Sequence, residues 1–315
     1  MNTNPLCQLL KIKFPVIQGG MVWCSGWRLA ASVAEAGGLG LIGSGSMRPE
    51  LLREHIRKAF LFTKNSFGVN IPLFYKYSED FIRIILEEGV RFVVTSAGSP
   101  KKYTERLKAE GVVVGHVVPS SALAKKCEDA GVDFVVCEGF EAGGHNGIDE
   151  ITTFCLIPQV AKSISIPLAA AGGIATGAQI LAAQVLGADG VQIGTRFACT
   201  KESSAHPAFK ETIMNSHESS TVLTLKKLTP VRLAKNAFYQ KILDLEARGE
   251  DSVENLKELL GTGRARKGIF EGDLEEGELE FGQISALIKD CPTVSEVMEG
   301  LIKEYEQARS RFNSD

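Results

Sequence analysis

The residues of this chain that invite a chemical reading are few, and they sit among glycines. His145 lies in Glu141-Ala142-Gly143-Gly144-His145-Asn146-Gly147, inside the glycine-rich stretch 139–159. An imidazole titrates near pH ~6.5 and can give or take a proton at neutral pH. His145 is therefore read as a catalytic acid or base, the alternative being a histidine that only structures its loop. Gly172 and Gly173, in the run Ala170–Gly177, precede a helical pattern, and Gly194 and Thr195 follow an apolar run in Gln192-Ile193-Gly194-Thr195-Arg196. Glycine lets backbone approach anionic oxygens, and unpaired N–H groups at a helix start supply donors and partial positive charge. The two segments read as one phosphate site; otherwise Gly172 and Gly173 make only a tight turn.

Asn70 stands alone among apolar residues in Phe67–Leu73. A buried amide needs partners, and either the edge of a ligand ring or a neighbouring loop would provide them. Gln18, Gly19, Gly20 and Met21 end another apolar run and offer backbone N–H groups and a polarizable side chain to a flat ligand. Gly38-Leu39-Gly40-Leu41-Ile42-Gly43 matches GxGxxG, but a helical pattern ends just before it and its glycines lie within the strand itself, which is the wrong context for dinucleotide binding. His116 is read as a packed or pocket-wall residue and His206 as part of a turn. His55 and His217 attract no function. The acidic run from Phe270 to Glu280 lacks the spacing of a calcium loop and is expected to be a solvated turn. No metal site is expected.

The elements that must position these residues follow from periodicity. Eight apolar runs recur about every 25 residues: FPVIQG from 14, GLGLIG from 38, FGVNIPL from 67, VRFVVTSAG from 90, VVVGHVV from 112, DFVVCEG from 133, IPLAAAGG from 166 and GVQIGTRF from 190. Between them lie segments such as SSALAKKCEDAG and GAQILAAQVLGA, with helical spacing and a terminal glycine. Continuous apolar strands are covered on both faces, as in a parallel sheet. Eight such units in about 190 residues fit a closed (β/α)8 barrel of α/β class, a TIM barrel, better than an open doubly wound sheet. The expected organisation is a barrel core over residues 1–200 and a helical extension over 201–315 that packs on it.

Composition narrows the partners. Of 32 glycines, 24 fall in residues 1–200 and 8 in the remainder, which concentrates backbone freedom in the barrel units. Lys+Arg 35 against Asp+Glu 38, without a basic run, argues against nucleic acid or an anionic membrane surface as a partner. No apolar stretch is long enough to span a bilayer and no signal-peptide core is evident. Seven cysteines without a CxxC pair argue against a zinc site and a disulfide framework, so a cytoplasmic protein is expected.

With these residues in hand, the chain resembles the FMN-dependent barrel family that contains enoyl-acyl carrier protein reductase II and the nitronate monooxygenases, or 2-nitropropane dioxygenases. The matching segments are FPVIQGGM, AEAGGLGLIG, FGVNI, TSAGSPKKY, EGFEAGGHNG, IPLAAAGGIATG, GADGVQIGTRF and KESSAHPAFKETI, with EGELEFGQISALI further on. The resemblance implies FMN as cofactor, with Gly172, Gly173, Gly194 and Thr195 at its phosphate and Gly20, Met21, Asn70 and Glu138 along its ribityl chain and ring. It makes His145 the active-site histidine. The segments TRFACTKESSAHPAFKETI and GDLEEGELEFGQ look more like the enoyl reductases. NADH or NADPH would then be the reductant, the substrate an enoyl thioester carried on acyl carrier protein or CoA, and the assembly a homodimer. Val22-Trp23-Cys24-Ser25-Gly26-Trp27 departs from the family pattern, which bears on pocket shape. The alternatives are a nitronate monooxygenase that uses O2 and a flavin-free barrel that isomerises or binds a phosphorylated ligand.

Overall fold

The computed structural model describes residues 4–312. All eight expected strands form: β1 (Val16–Gln18), β2 (Leu39–Gly43), β3 (Phe67–Pro72), β4 (Phe92–Ser96), β5 (Val113–Val118), β6 (Phe134–Glu138), then, after a two-residue strand β7 (Gly144–His145), β8 (Leu168–Ala171) and β9 (Gly190–Ile193). Apart from β7 they are parallel and close into one barrel, sealed where Ile17 of β1 pairs with Gln192 of β9. The apolar continuity of the strands has two causes. Ile17, Leu39, Leu41, Phe92, Val94, Phe134, Val136, Ala169 and Ala171 fill the lumen, joined by Leu6 and Leu10 of the first helix, while the alternate residues pack under the surrounding helices.

Gly40 belongs to that packing. A Cβ there would lie 2.0 Å from Ala30 O, so β2 accepts the helix Trp27–Glu35 only because position 40 has no side chain. The GxGxxG segment thus serves helix-on-strand contact, in keeping with its place inside a strand.

The stretch 139–159 is not one loop. Gly144–His145 is the strand β7 and Thr153–Ala161 is a helix, so the irregular chain is shorter than its glycine content suggests. Beyond β9 the expected helices are present, including Pro207–Met214, Ala237–Ala247 and Val253–Leu260, but a hairpin of β10 (Thr221–Thr224) and β11 (Val231–Ala234) accompanies them. Four-residue strands leave little periodic signal. β11 lies between β10 and β7 in an antiparallel sheet, which ties this region directly to the loop that follows β6.

The last helix, Val294–Phe312, buries Val294, Val297, Met298 and Leu301 in the main core beside helices Gly177–Val185 and Trp27–Glu35. Its Glu304 carboxylate accepts from Gly177 N–H at 2.8 Å, and Tyr305 donates to Gln184 at 2.7 Å. It therefore fills the gap in the helical ring left by the four-residue helix Thr195–Ala198 after β9. Among the described residues no helix is long and apolar enough to cross a membrane, and all seven cysteines are free thiols.

Two substitutions test this packing by chemical denaturation. Gly40→Ala drives a methyl group into the Ala30 carbonyl and should cost on the order of 1–3 kcal/mol. Gly300→Ala, on the last helix with open space around it, should gain about 0.5–1 kcal/mol.

Candidate active site

Parallel closure puts the C-terminal ends of all eight barrel strands on one rim, and the residues singled out in the sequence lie there. Gly20 and Met21 follow β1, Asn70 lies in β3 and Glu138 ends β6. Gly172 and Gly173 follow β8, while Gly194 and Thr195 follow β9. His145 reaches the same mouth from β7.

On the β1 side, buried polar groups fix the backbone. Gln18 Oε1 accepts from Leu41 N–H at 3.1 Å and its amide nitrogen donates to Ser25 Oγ at 2.9 Å. Ser25 Oγ accepts from Met21 N–H at 3.0 Å and donates to Gly19 O at 3.1 Å. Segment 19–21 is thereby held close over β3: a Cβ on Gly20 would lie 2.2 Å from the Asn70 Cβ. Asn70 donates one amide N–H to Val94 O at 3.1 Å, which leaves its Oδ1 and its second N–H for a ligand. Beside Gly19 lies Gln192, whose Oε1 is buried and has no partner among the described residues. An orphaned buried acceptor in a mouth of this kind calls for a donor from outside the chain.

On the β8 and β9 side, Gly172 and Gly173 have φ of +96° and +68°, conformations that L side chains rarely adopt. Side chains are excluded there by space as well, since a Cβ on Gly172 would meet Gly139 O and Thr153 Oγ1 at 2.8 Å. Thr153 is fixed by Glu141, whose carboxylate accepts from its N–H and its hydroxyl, each at 2.8 Å. Among the described residues, the N–H groups of Gly172, Gly173 and Ile174 find no acceptor in the chain. Thr195 Oγ1 accepts from Gly282 N–H at 3.0 Å and keeps its own hydroxyl proton to donate. Arg196 points to Asp290 instead, at 2.6 Å.

His145 is held by an ordered scaffold. It pairs with Val231 of β11, and Gly144 pairs with Arg232. Arg232 is almost fully buried; it donates to Phe140 O from Nε and a terminal nitrogen at 3.1 and 2.9 Å, and its guanidinium lies 4.4 Å from the Phe140 ring centre. The His145 side chain opens to solvent across the mouth from the exposed Phe74, with ring centres 6.2 Å apart. Trp23, with φ +61°, packs against Phe270 at 5.7 Å, whereas Trp27 lies away from the mouth against Phe62.

Burial sets the protonation states. Desolvation holds His145 below its ordinary pKa, with the negative field of Glu278 opposing it. His116 is packed as expected: its Nδ1 lies 2.6 Å from Thr95 Oγ1, and burial pushes its pKa down to about 4. Glu138 is pushed up to about 7 by burial. The solvated-turn expectation for the acidic run is corrected at its end. Glu271 and Glu275 are exposed, but Glu278 is buried, and Glu278 and Glu280 both have pKa values raised by burial, Glu278 further by its neighbour. The residues that sequence reasoning missed are Ser25, Arg232, Glu278 and Glu280. Only the last two left a signal, acids alternating with Leu279 and Phe281 in the manner of an extended segment.

Comparison with known proteins places this geometry. The profile of the family described as nitronate monooxygenase matches residues 3–81 and 76–304. A solved structure of FabK from Thermotoga maritima is similar at TM-score 0.93 and 41% identity, over 98% of this chain and 97% of that one. A probable nitronate monooxygenase of Staphylococcus aureus is 32% identical, covering 97% of this chain and 98% of its own. A 5-hydroxy-7a-methyl-1-oxo-octahydro-1H-indene-4-carboxyl-CoA dehydrogenase of Rhodococcus jostii is 30% identical, covering 95% and 94%.

The raised Glu138 has a thermodynamic consequence. An acid whose pKa is higher in the folded state contributes stability that is complete below its ordinary value of 4.5 and is lost as pH rises through about 7. The urea-unfolding free energy of the wild type, relative to Glu138→Gln, should therefore fall between pH 5 and pH 8.

Proposed function

The chain belongs to the nitronate monooxygenase family of oxidoreductases, and within it we propose that the protein is an FMN-dependent enoyl-acyl carrier protein reductase that uses NADH or NADPH. One observation carries this reading: the end-to-end match to FabK, an enoyl-acyl carrier protein reductase II, at 41% identity, against 32% for the monooxygenase relative. The CoA-linked substrate in the name of the Rhodococcus relative supports a thioester as the ligand class.

The residues at the mouth fit FMN. The free N–H groups of Gly172, Gly173 and Ile174 and the hydroxyl of Thr195 would hold its phosphate, with Gly194 leaving room for it. Gly20 would present its backbone and Met21 its side chain to the ring, and the orphaned Gln192 acceptor beside them suits a ring N–H. Asn70 and Glu138 would line the ring and ribityl chain. When bound, FMN supplies two-electron chemistry, a hydride taken from the nicotinamide and delivered to the β-carbon of the enoyl thioester.

His145 supplies what hydride chemistry lacks. With its pKa held below the ordinary imidazole value, His145 has an N–H that can bond the thioester carbonyl or protonate the α-carbon. Its strand pairing with β11 keeps that N–H at the mouth, and Phe74 opposite offers an apolar wall to an acyl chain. As a homodimer in the cytoplasm the protein would meet carrier-bound substrates directly.

Anaerobic titration tests the reading. Nucleotide should bleach a yellow protein, and crotonyl thioester should rapidly restore the colour. Reduction by propyl-2-nitronate without a response to nucleotide would instead make it a nitronate monooxygenase, and a colourless protein that takes up no FMN would leave the flavin-free barrel. His145→Ala should keep FMN and lose on the order of 100-fold or more in turnover; wild-type rates would remove His145 from the mechanism. A bulky residue at Gly173 should give apoprotein.

A further inference from the structure

Glu141 lies in the turn between β6 and β7 and bonds to both sides of the proposed phosphate site. Its side chain acts on the β8 side. One carboxylate oxygen, Oε2, accepts from Thr153 N–H and from Thr153 Oγ1, each at 2.8 Å. Thr153 is the first residue of the helix Thr153–Ala161, whose N-cap Thr152 makes no side-chain cap, so Glu141 satisfies a donor that the helix start leaves open. The Thr153 hydroxyl also lies 3.0 Å from Gly172 O and 3.3 Å from Ala171 O. A carboxylate is a stronger acceptor than a carbonyl, so Glu141 decides where Thr153 stands against the Gly172 turn.

The backbone of Glu141 acts on the β9 side. Glu141 O accepts from Gln283 N–H at 3.0 Å, and the residue before it, Gly282, donates its N–H to Thr195 Oγ1 at 3.0 Å. A Cβ on Gly282 would lie 2.8 Å from Glu141 O and 3.3 Å from Thr195 Oγ1, so both oxygens converge on one glycine. The turn is also fixed to β8 directly, where Gly139 N–H donates to Ala171 O at 2.9 Å. A single residue thus connects the Gly172–Gly173 turn to Thr195.

We propose that Glu141 is a positioning residue that sets the two sides of the phosphate site against each other and so gives the site its preference for a phosphorylated flavin. The inference rests on the FMN reading. Glu141 is not itself a phosphate ligand. Its Cδ lies 3.8 Å from where a Cβ on Gly173 would stand, and a carboxylate that close to a bound phosphate repels it. Its contribution is spacing: the free N–H groups of Gly172, Gly173 and Ile174 and the Thr195 hydroxyl can bond one phosphate only while the two turns keep their distance. Position 141 therefore needs an acceptor oxygen rather than a charge. Glutamine supplies that oxygen and alanine does not.

The test is a fluorescence titration of the flavin-stripped full-length protein with FMN and with riboflavin, which lacks the phosphate. The wild type should favour FMN. Glu141→Ala should lose on the order of tenfold or more of that preference while riboflavin affinity stays as in the wild type. Thr153→Val, which keeps Glu141 but removes the hydroxyl, should shift the preference in the same direction by a smaller factor. Glu141→Gln should match or exceed the wild-type preference. General loss of structure weakens both flavins alike and leaves their ratio alone, so the ratio separates positioning from folding. An unchanged ratio in Glu141→Ala, or a ratio in Glu141→Gln as low as in Glu141→Ala, overturns the proposal; should Glu141→Ala not fold, Thr153→Val decides by the same ratio. A wild type that binds the two flavins equally, or binds neither, overturns the FMN-phosphate reading and the proposal with it.

Discussion

The hydrogen-bonded seam between β1 and β9 is the constraint on which the rest of this structure depends, because it turns eight parallel strands into a closed ring with a single rim. A parallel strand cannot return by a tight hairpin, so every strand ends on the same side and every helix starts there. Residues as distant in sequence as Gly20, Asn70, Glu138, Gly172 and Thr195 become neighbours for that reason. The filled lumen beneath them makes the rim a rigid floor, and Gln18 and Ser25 convert that rigidity into fixed backbone N–H directions.

A second, smaller sheet completes the mouth. β7 is only two residues long and would not persist unsupported; it exists because β11 pairs with it and Arg232 ties Phe140 to the hairpin. The segment between the eighth strand and the last helix is thus part of the site's framework. It supplies the strand that pairs with β7 and the segment that brings Glu280 against Gly144.

The electrostatic character of the site follows from what is missing around its charges. Glu138, Glu278 and Glu280 are sheltered without pairing to a cation, while His145 and His116 are desolvated. Shelter disfavours the charged form of both residue types. The result is a mouth whose acids titrate near or above neutrality and whose imidazoles are held below their ordinary pKa, suited to hydrogen-bond donation and proton transfer.

The barrel was legible in the sequence because its determinants are local and repeated. Each strand announces itself as a continuous apolar run, each helix by its spacing and terminal glycine, and parallel closure then places Gly172 and Gly194 on one rim. The hairpin, the burial of Glu278 and the scaffold of Arg232 were not legible. Their four-residue strands carry almost no periodicity, and an acidic run looks the same whether water or protein surrounds it. Burial depends on which distant segments cover a residue, so only the tertiary structure could decide that Glu271 stays in solvent while Glu278, seven residues later, is buried.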